Sequence, residues 1–257
     1  MPTSHRRTPA TLVGVSAFDA RRPVFNSTRW SVVARAHGPR GDEAREALGQ
    51  LFETYSYPLY AFARRRGLSS EEAEDAVHEL FARALEKGAL AGADPARGRF
   101  RTYLLTAFEH ALSNRRRWWN ALKRGGGKTL VALDAQSAEE RYASEPAGGD
   151  DPRVLYEAAW ARALLAKVFE TLRGEYEQRG EGAVFERLRA HLLEAGEPAS
   201  MEQLAQELGK SVESVKVGLH RLRKRFRAAL EDEVGQTLDD PAQLEDELRA
   251  LFEALGR

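Results

Sequence analysis

The sequence predicts an all-α protein made of two small helical domains joined by an acidic linker. Apolar residues recur three or four apart over long stretches, no segment alternates with a period of two, and glycine or proline separates the periodic stretches. The 257-residue length allows one large domain or two small ones, and a 42% apolar fraction suffices to build cores. The expected organisation is a flexible leader over 1–27, a first domain over 28–124, a linker over 125–152, a second domain over 153–234 and an acidic amphipathic extension over 235–257.

Each element has a local cause. Trp30 to Ala36 reads as a short helix ended by Gly38-Pro39. Leu48, Leu51, Phe52, Tyr55, Leu59, Phe62 and Ala63 trace one face of a helix from Asp42 to Arg66; Pro58 predicts a kink in it and Gly67 its end. Ser69 with Glu72 forms a capping box for a helix whose stripe is Ala73, Ala76, Val77, Leu80, Phe81, Ala84 and Leu85. Gly88 to Gly98 reads as a loop, and Phe100 to about Leu122 as a long helix broken by Gly125-Gly126-Gly127. Helices are expected over Leu155–Leu172 and Ala183–Glu194, with a polar interruption at Gly174 to Gly182. Ser200 and Gln203 make a second capping box, Gly209 a turn, and Ser211 caps a helix reaching about Glu231.

The formal net charge is zero, with 39 basic and 39 acidic residues, but the charges are segregated. Arg97 to Lys128 holds nine basic residues against Glu109 alone, and Lys210 to Arg227 seven against Glu213. Asp134 to Glu157 carries seven acids and two bases, and Ala228 to Arg257 nine acids and two bases. Two cationic patches separated by an acidic spacer point to a polyanion gripped at two places. The plainer alternative is a set of solvated helix faces.

Residues 200–227 have the anatomy of a helix-turn-helix, with Val215, Leu219, Leu222 and Phe226 on the inner face of its second helix. The opposite face presents Glu213, Val217, His220 and Lys224, flanked by Ser214, Lys216, Arg221 and Arg227, to a major groove, with Ser211 at the cap. An αα-hairpin with a solubilising basic face is the competing reading. Phe100-Arg-Thr-Tyr103 and Arg115-Arg-Arg-Trp-Trp119 set planar rings beside guanidinium groups. That combination suits single-stranded nucleic acid, whose bases stack on rings while cations hold the backbone.

Several chemistries are excluded. Without cysteine there is no disulfide framework and no thiolate nucleophile or metal site. Gly125-Gly-Gly-Lys-Thr129 lacks the first glycine and the preceding strand of a phosphate-binding loop. His78-Glu79 lacks a second histidine at Ala82, and no serine or carboxylate pair sits in a catalytic frame. No metal, cofactor or enzymatic activity is expected. No apolar run approaches the ~20 residues of a membrane span. The Thr11 to Phe18 stretch is too short and polar for a good signal sequence, so a cytoplasmic protein without membrane insertion is expected.

Three ordered segments carry a family likeness: Leu51-Phe-Glu-Thr-Tyr55 through Ala73-Glu-Asp-Ala-Val-His-Glu-Leu-Phe-Ala-Arg83, Gly98-Arg-Phe-Arg-Thr-Tyr-Leu-Leu105 with the helix after it, and Met201 to Arg223. Together they resemble regions 2.1–2.2, 2.3–2.4 and 4 of bacterial sigma factors of the extracytoplasmic-function type, within the sigma-70 family. The resemblance implies that the chain binds core RNA polymerase and directs it to promoter DNA. Asp75, His78, Glu79 and Arg83 would meet the clamp of the largest catalytic subunit. Arg97, Arg99, Phe100, Arg101, Tyr103, His110, Asn114 and Arg115, with Trp118 and Trp119, would capture the melted −10 element. The helix from Ser211 to Arg227 would read the −35 duplex. An anti-sigma factor is a further partner that the resemblance admits.

The chain also departs from that pattern. His110 and Asn114 stand where the family often has Asn and Asp, and Glu175 to Pro198 is a longer lead into the last region. After Val234, Leu244, Leu248, Leu251, Phe252 and Leu255 define an amphipathic helix resembling a subgroup with carboxy-terminal extensions. It is expected to dock on the last region or the linker and restrain DNA binding, or else simply to cover core surface. A helix-turn-helix regulator that works without polymerase accounts for residues 200–227, and an adaptor whose basic surfaces bind an acidic protein is a third reading.

Overall fold

A computed structural model describes residues 31–36, 41–87, 92–94, 98–113, 133–145, 151–192, 201–236, 238 and 240–256. The protein is all-α, with no strand among the described residues. The helices are α1 (Ser31–Ala36), α2 (Asp42–Arg65), α3 (Ser70–Lys87), α4 (Phe100–Ser113), α5 (Ala135–Ala143), α6 (Pro152–Glu177), α7 (Gly182–Arg189), α8 (Met201–Leu208), α9 (Val212–Gly235) and α10 (Leu244–Leu255), the last preceded by a 3-10 turn at Pro241–Gln243. The chain forms two compact units. The first holds Thr28–Thr171 and Arg227–Arg257, the second Leu172–Phe226, so the divisions fall within α6 and α9.

In the first unit α2 is the central helix, packed by α1, α3 and α5. Its segment Tyr55–Ala63 is buried all round, which is what neighbours on several sides impose on a helix. Phe100 and Phe108 of α4 meet Tyr55 and Phe62 of α2 at ring-centroid distances of 5.5 and 6.3 Å. The helix continues unbroken through Pro58. It stops at Gly67, whose φ of 88° lets Leu68 donate back to the Ala63 carbonyl at 3.2 Å while Gly67 donates to Arg64 at 2.9 Å. The capping box forms as the sequence requires: Ser69 N–H donates to Glu72 Oε2 at 2.9 Å and Glu72 N–H to Ser69 Oγ at 3.2 Å.

The acidic stretch expected as a linker contains a packed helix. Asp134 caps α5 by accepting from Ser137 N–H, and Ala138 is buried. Glu139 receives Arg64 Nε at 2.9 Å, Arg64 Nη2 at 2.6 Å and the Tyr60 hydroxyl at 2.5 Å. Tyr57 donates to Glu145 at 3.0 Å, and Arg162 grips the same carboxylate. A polar, small-residue composition hid this helix because ion pairs to α2, rather than an apolar stripe, fix its position.

In the second unit, Leu172, Tyr176, Phe185, Leu188, Met201, Leu204, Val215, Leu219, Leu222 and Phe226 are buried. The expected break at Gly174 is absent, since α6 runs on to Glu177. A single mid-helix glycine costs only about 1 kcal/mol, less than burying Leu172 and Tyr176 on either side returns. Gly209, with φ of 60°, turns α8 into α9: Lys210 N–H reaches the Ala205 carbonyl at 3.0 Å, and Ser211 Oγ then accepts from Ser214 N–H.

The guanidinium of Arg64 holds the Glu139 carboxyl below its ordinary range. A depressed folded value stabilises above the unfolded pKa and is lost as pH falls through the folded one. Hydrogen exchange of residues 135–143 is therefore expected to accelerate below the usual carboxylate range. Glu139→Gln is expected to give the same acceleration at neutral pH, at a cost of about 0.5–1 kcal/mol for a half-exposed pair. Unchanged protection in the variant counts against the clasp.

Candidate functional site

On α3 the predicted outer face is partly committed to the protein itself. His78 stacks on Phe52, with centroids 5.8 Å apart and planes at 14°, and its Nε2 accepts the Leu133 backbone N–H at 3.1 Å. Through that bond His78 anchors the chain entering α5. Glu79 and Arg83 pair with each other across one turn. Asp75 and Glu74 are partly exposed and Glu71 is exposed, leaving an acidic strip on that helix.

On α4 the aromatic and cationic residues divide by helical phase. Phe100, Leu104, Leu105 and Phe108 are core. Arg101 shares their burial at 3% exposure: its Nε donates to Glu157 Oε2 at 2.6 Å, its Nη1 meets Glu247, and its guanidinium lies 4.2 Å from the Trp160 ring centroid. The Tyr156 hydroxyl donates to the Arg101 carbonyl at 3.0 Å. Burial raises the Tyr156 and Tyr55 hydroxyls well above their ordinary range, so both stay neutral beside this ion cluster. Phe100 and Arg101 are thus packed inside, contrary to the expectation that they face a nucleic acid. Side chains set on opposite helix phases cannot all point outward.

Arg99 sits at the rim, 39% exposed, in an ion pair with Glu247, its Nε 2.7 Å from Oε2. Tyr103 is half-buried against Gly92, and burial raises its hydroxyl. His110 is exposed. So are Thr102, Thr106 and Ser113, which share its side of α4 and which sequence reasoning missed. Their three- and four-residue spacing was the available signal, obscured by the louder pattern of rings beside arginines. Glu157 and Glu247 were missed for another reason: neither has a sequence neighbour that announces its partner. Arg97, Asn114, Arg115, Trp118 and Trp119 lie outside the described residues.

The second unit has its own surface. On α9, Glu213, Ser214, Val217, His220, Arg221 and Lys224 are exposed, Lys216 is partly exposed, and Ser211 is exposed at the cap. Val217, at 40%, is the one large apolar residue so exposed among the described residues. Arg223 and Arg225 serve the unit internally, donating to the His191 carbonyl at 3.0 Å and pairing with Glu175.

Residues 51–120 match the protein family described as sigma-70 region 2. The likeness is to that one region, over 70 of the 257 residues. No curated protein and no solved structure matches the chain. The matched span takes in most of α2, all of α3 and α4, and stops short of α5. It therefore covers both the acidic strip and the polar face of α4. Among the described residues no helix is long and apolar enough to cross a membrane, and no three metal-ligating side chains come together.

Arg101→Ala is expected to destabilise the first unit by about 3–5 kcal/mol, because two carboxylates lose a buried partner. Chemical denaturation checks this; a loss under 1 kcal/mol, typical of exposed pairs, would contradict the burial argument.

Proposed function

We propose that this chain is a sigma factor of the extracytoplasmic-function type, acting in the cytoplasm with core RNA polymerase. The observation that carries the reading is the coincidence of the sigma-70 region 2 match with α3 and α4, which bear distinct acidic and polar-cationic surfaces. Asp75, with Glu79 and Arg83 beside it, meets the polymerase clamp. Arg99, Tyr103, His110, Thr102 and Thr106, together with Arg97, Asn114, Arg115, Trp118 and Trp119, hold the −10 element as single strand. Phe100 and Arg101 support that surface from within.

The second unit reads the −35 element as duplex. Its α8–Gly209–α9 arrangement presents Ser211, Glu213, Ser214, Lys216, Val217, His220, Arg221 and Lys224 on one side of α9. Mixed chemistry there is what base readout needs: donors and acceptors for base edges, cations for phosphates and an apolar group for the thymine methyl. A polymerase-independent regulator would use this unit alone and leave the acidic and polar surfaces of α3 and α4 idle. Run-off transcription with core polymerase separates the two: promoter-directed initiation supports the sigma reading, and DNA binding without any change in start-site choice overturns it.

Asp75→Arg is expected to weaken core polymerase binding at least about tenfold through charge reversal at the contact, with oligonucleotide binding unchanged, as measured by fluorescence anisotropy. Wild-type affinity for polymerase would remove α3 from that contact. Val217→Ser is expected to weaken −35 duplex binding by about 1 kcal/mol, the worth of a buried methyl contact. Replacing thymine by uracil in the site should weaken the wild type and leave this variant unaffected. Equal sensitivity of both proteins to uracil would take the methyl contact away from Val217.

A further inference from the structure

We propose that Arg66 and Arg153 extend the polar face of α4 into a phosphate-binding surface, with Glu109 as the seat that holds both. The proposal rests on the nucleic-acid reading of α4 given above and adds two arginines that lie outside its cationic stretch.

At about 100° per residue, Glu109 falls on the arc of α4 that also carries Thr102, Thr106, His110 and Ser113. It is the lone acid between Arg97 and Lys128. A bare carboxylate on that face would repel a nucleic-acid backbone. In the fold it is not bare. Arg153, in the first turn of α6, donates from Nε to Glu109 Oε1 at 3.3 Å and from Nη2 to Oε2 at 2.7 Å. Arg66, the cap residue of α2, brings Nη1 to 3.7 Å from Oε1. Both carboxylate oxygens face guanidinium groups, and two cations answer one anion.

The linear charge map hides this. Arg153 belongs to the acidic stretch from Asp134 to Glu157, and Arg66 precedes the cationic stretch altogether. Asp151, the acid nearest to Arg153 in sequence, is engaged at the start of α6, where its Oδ1 accepts Arg153 N–H at 2.9 Å. The helix dipole offsets its charge there.

Exposure separates the anion from its cations. Glu109 keeps only 17% of its side chain exposed, whereas Arg66 keeps 46% and Arg153 62%. A guanidinium carries five N–H donors and Glu109 takes two from Arg153, so a phosphate oxygen can bind without displacing the pair. Arg66 is steadied further by Phe62, whose ring centroid lies 5.6 Å from its guanidinium carbon. An arginine already held by a carboxylate loses less freedom on meeting a phosphate than a loose one does. Such contacts carry no sequence information; they add affinity and fix the strand along α4.

The test uses the full-length protein, alone and assembled with core polymerase, in anisotropy titrations of fluorescent single-stranded oligonucleotides over a range of salt. Arg66→Ala and Arg153→Ala are each expected to bind about fivefold less tightly at ~0.1 M salt, whatever the base sequence, with a log–log salt slope shallower by ~0.7. The double variant should lose about 1.4 of slope. Glu109→Gln distinguishes a seat from an independent charge. In the wild-type background it should bring no gain, because the carboxylate is already neutralised and its removal loosens both arginines. In the double-alanine background it should recover about fivefold, because a bared carboxylate no longer repels the strand. Circular dichroism is expected to show wild-type folding throughout, since both arginines are largely exposed. An equal gain from Glu109→Gln in both backgrounds overturns the seat. Wild-type affinity and slope in both alanine variants overturn the phosphate contacts and leave the reading of α4 standing. A loss confined to polymerase affinity does the same and assigns the face to a protein partner. Failure of the wild type to retain any oligonucleotide at low salt, alone or with polymerase, overturns that reading and the proposal together.

Discussion

A guanidinium taken out of water must find anions, and the burial of Arg101 organises much of the first unit. Its partners come from two distant parts of the chain: Glu157 and Trp160 on α6, and Glu247 on α10. Moving charges this deep costs several kcal/mol per ion, so the cluster is tolerable only when complete. The energetic consequence is cooperativity rather than large net stability. Neither α6 nor α10 can leave α4 without stranding a charge, and this groups residues after 227 with a domain that began before residue 60. Lys167 on α6 and Glu233 at the end of α9, 2.8 Å apart, tie the returning chain to the same unit.

Polar contacts play the matching role on the other side of α2. Arg64, Tyr60 and Tyr57 hold α5 through Glu139 and Glu145, while His78 receives the backbone just ahead of it. Glu139 and Glu145 thus serve as counter-charges for α2 and α6. This changes how the charge map is read. Part of the acidity that looks like a solvated spacer in one dimension is made of half-buried partners in three. The acidic strip that stays outward on α3 is consequently more distinctive than the raw count of acids implied.

The two proposed nucleic-acid surfaces differ in how they are built. On α9 the inner face is apolar throughout, so the outward residues follow directly from helical phase. On α4 the inner face includes an arginine, and the surface residues are small and polar. A cation on α4 therefore has one of two roles, lining the core with paired acids or facing solvent, and only its position in the helical turn separates them.

Helix positions were legible from the sequence where an apolar stripe and a cap coincide: the Ser69–Glu72 box, the Gly67 stop, the Gly209 turn and the inward Val215, Leu219, Leu222 and Phe226 of α9. These depend on contacts within a few residues, which local pattern encodes. The acidic strip on α3 and the outward face of α9 follow from the same periodicity. What only the tertiary structure decided was the fate of charged and polar groups: that Arg101 is core, that His78 accepts a backbone hydrogen bond, that residues 135–143 are a packed helix, and that Glu247 reaches α4. Each depends on a partner 55 or more residues away. Coulomb attraction and desolvation act through space, so the sequence by itself determined the helices and their apolar faces, while the assembled fold determined which charges are still free to meet a partner.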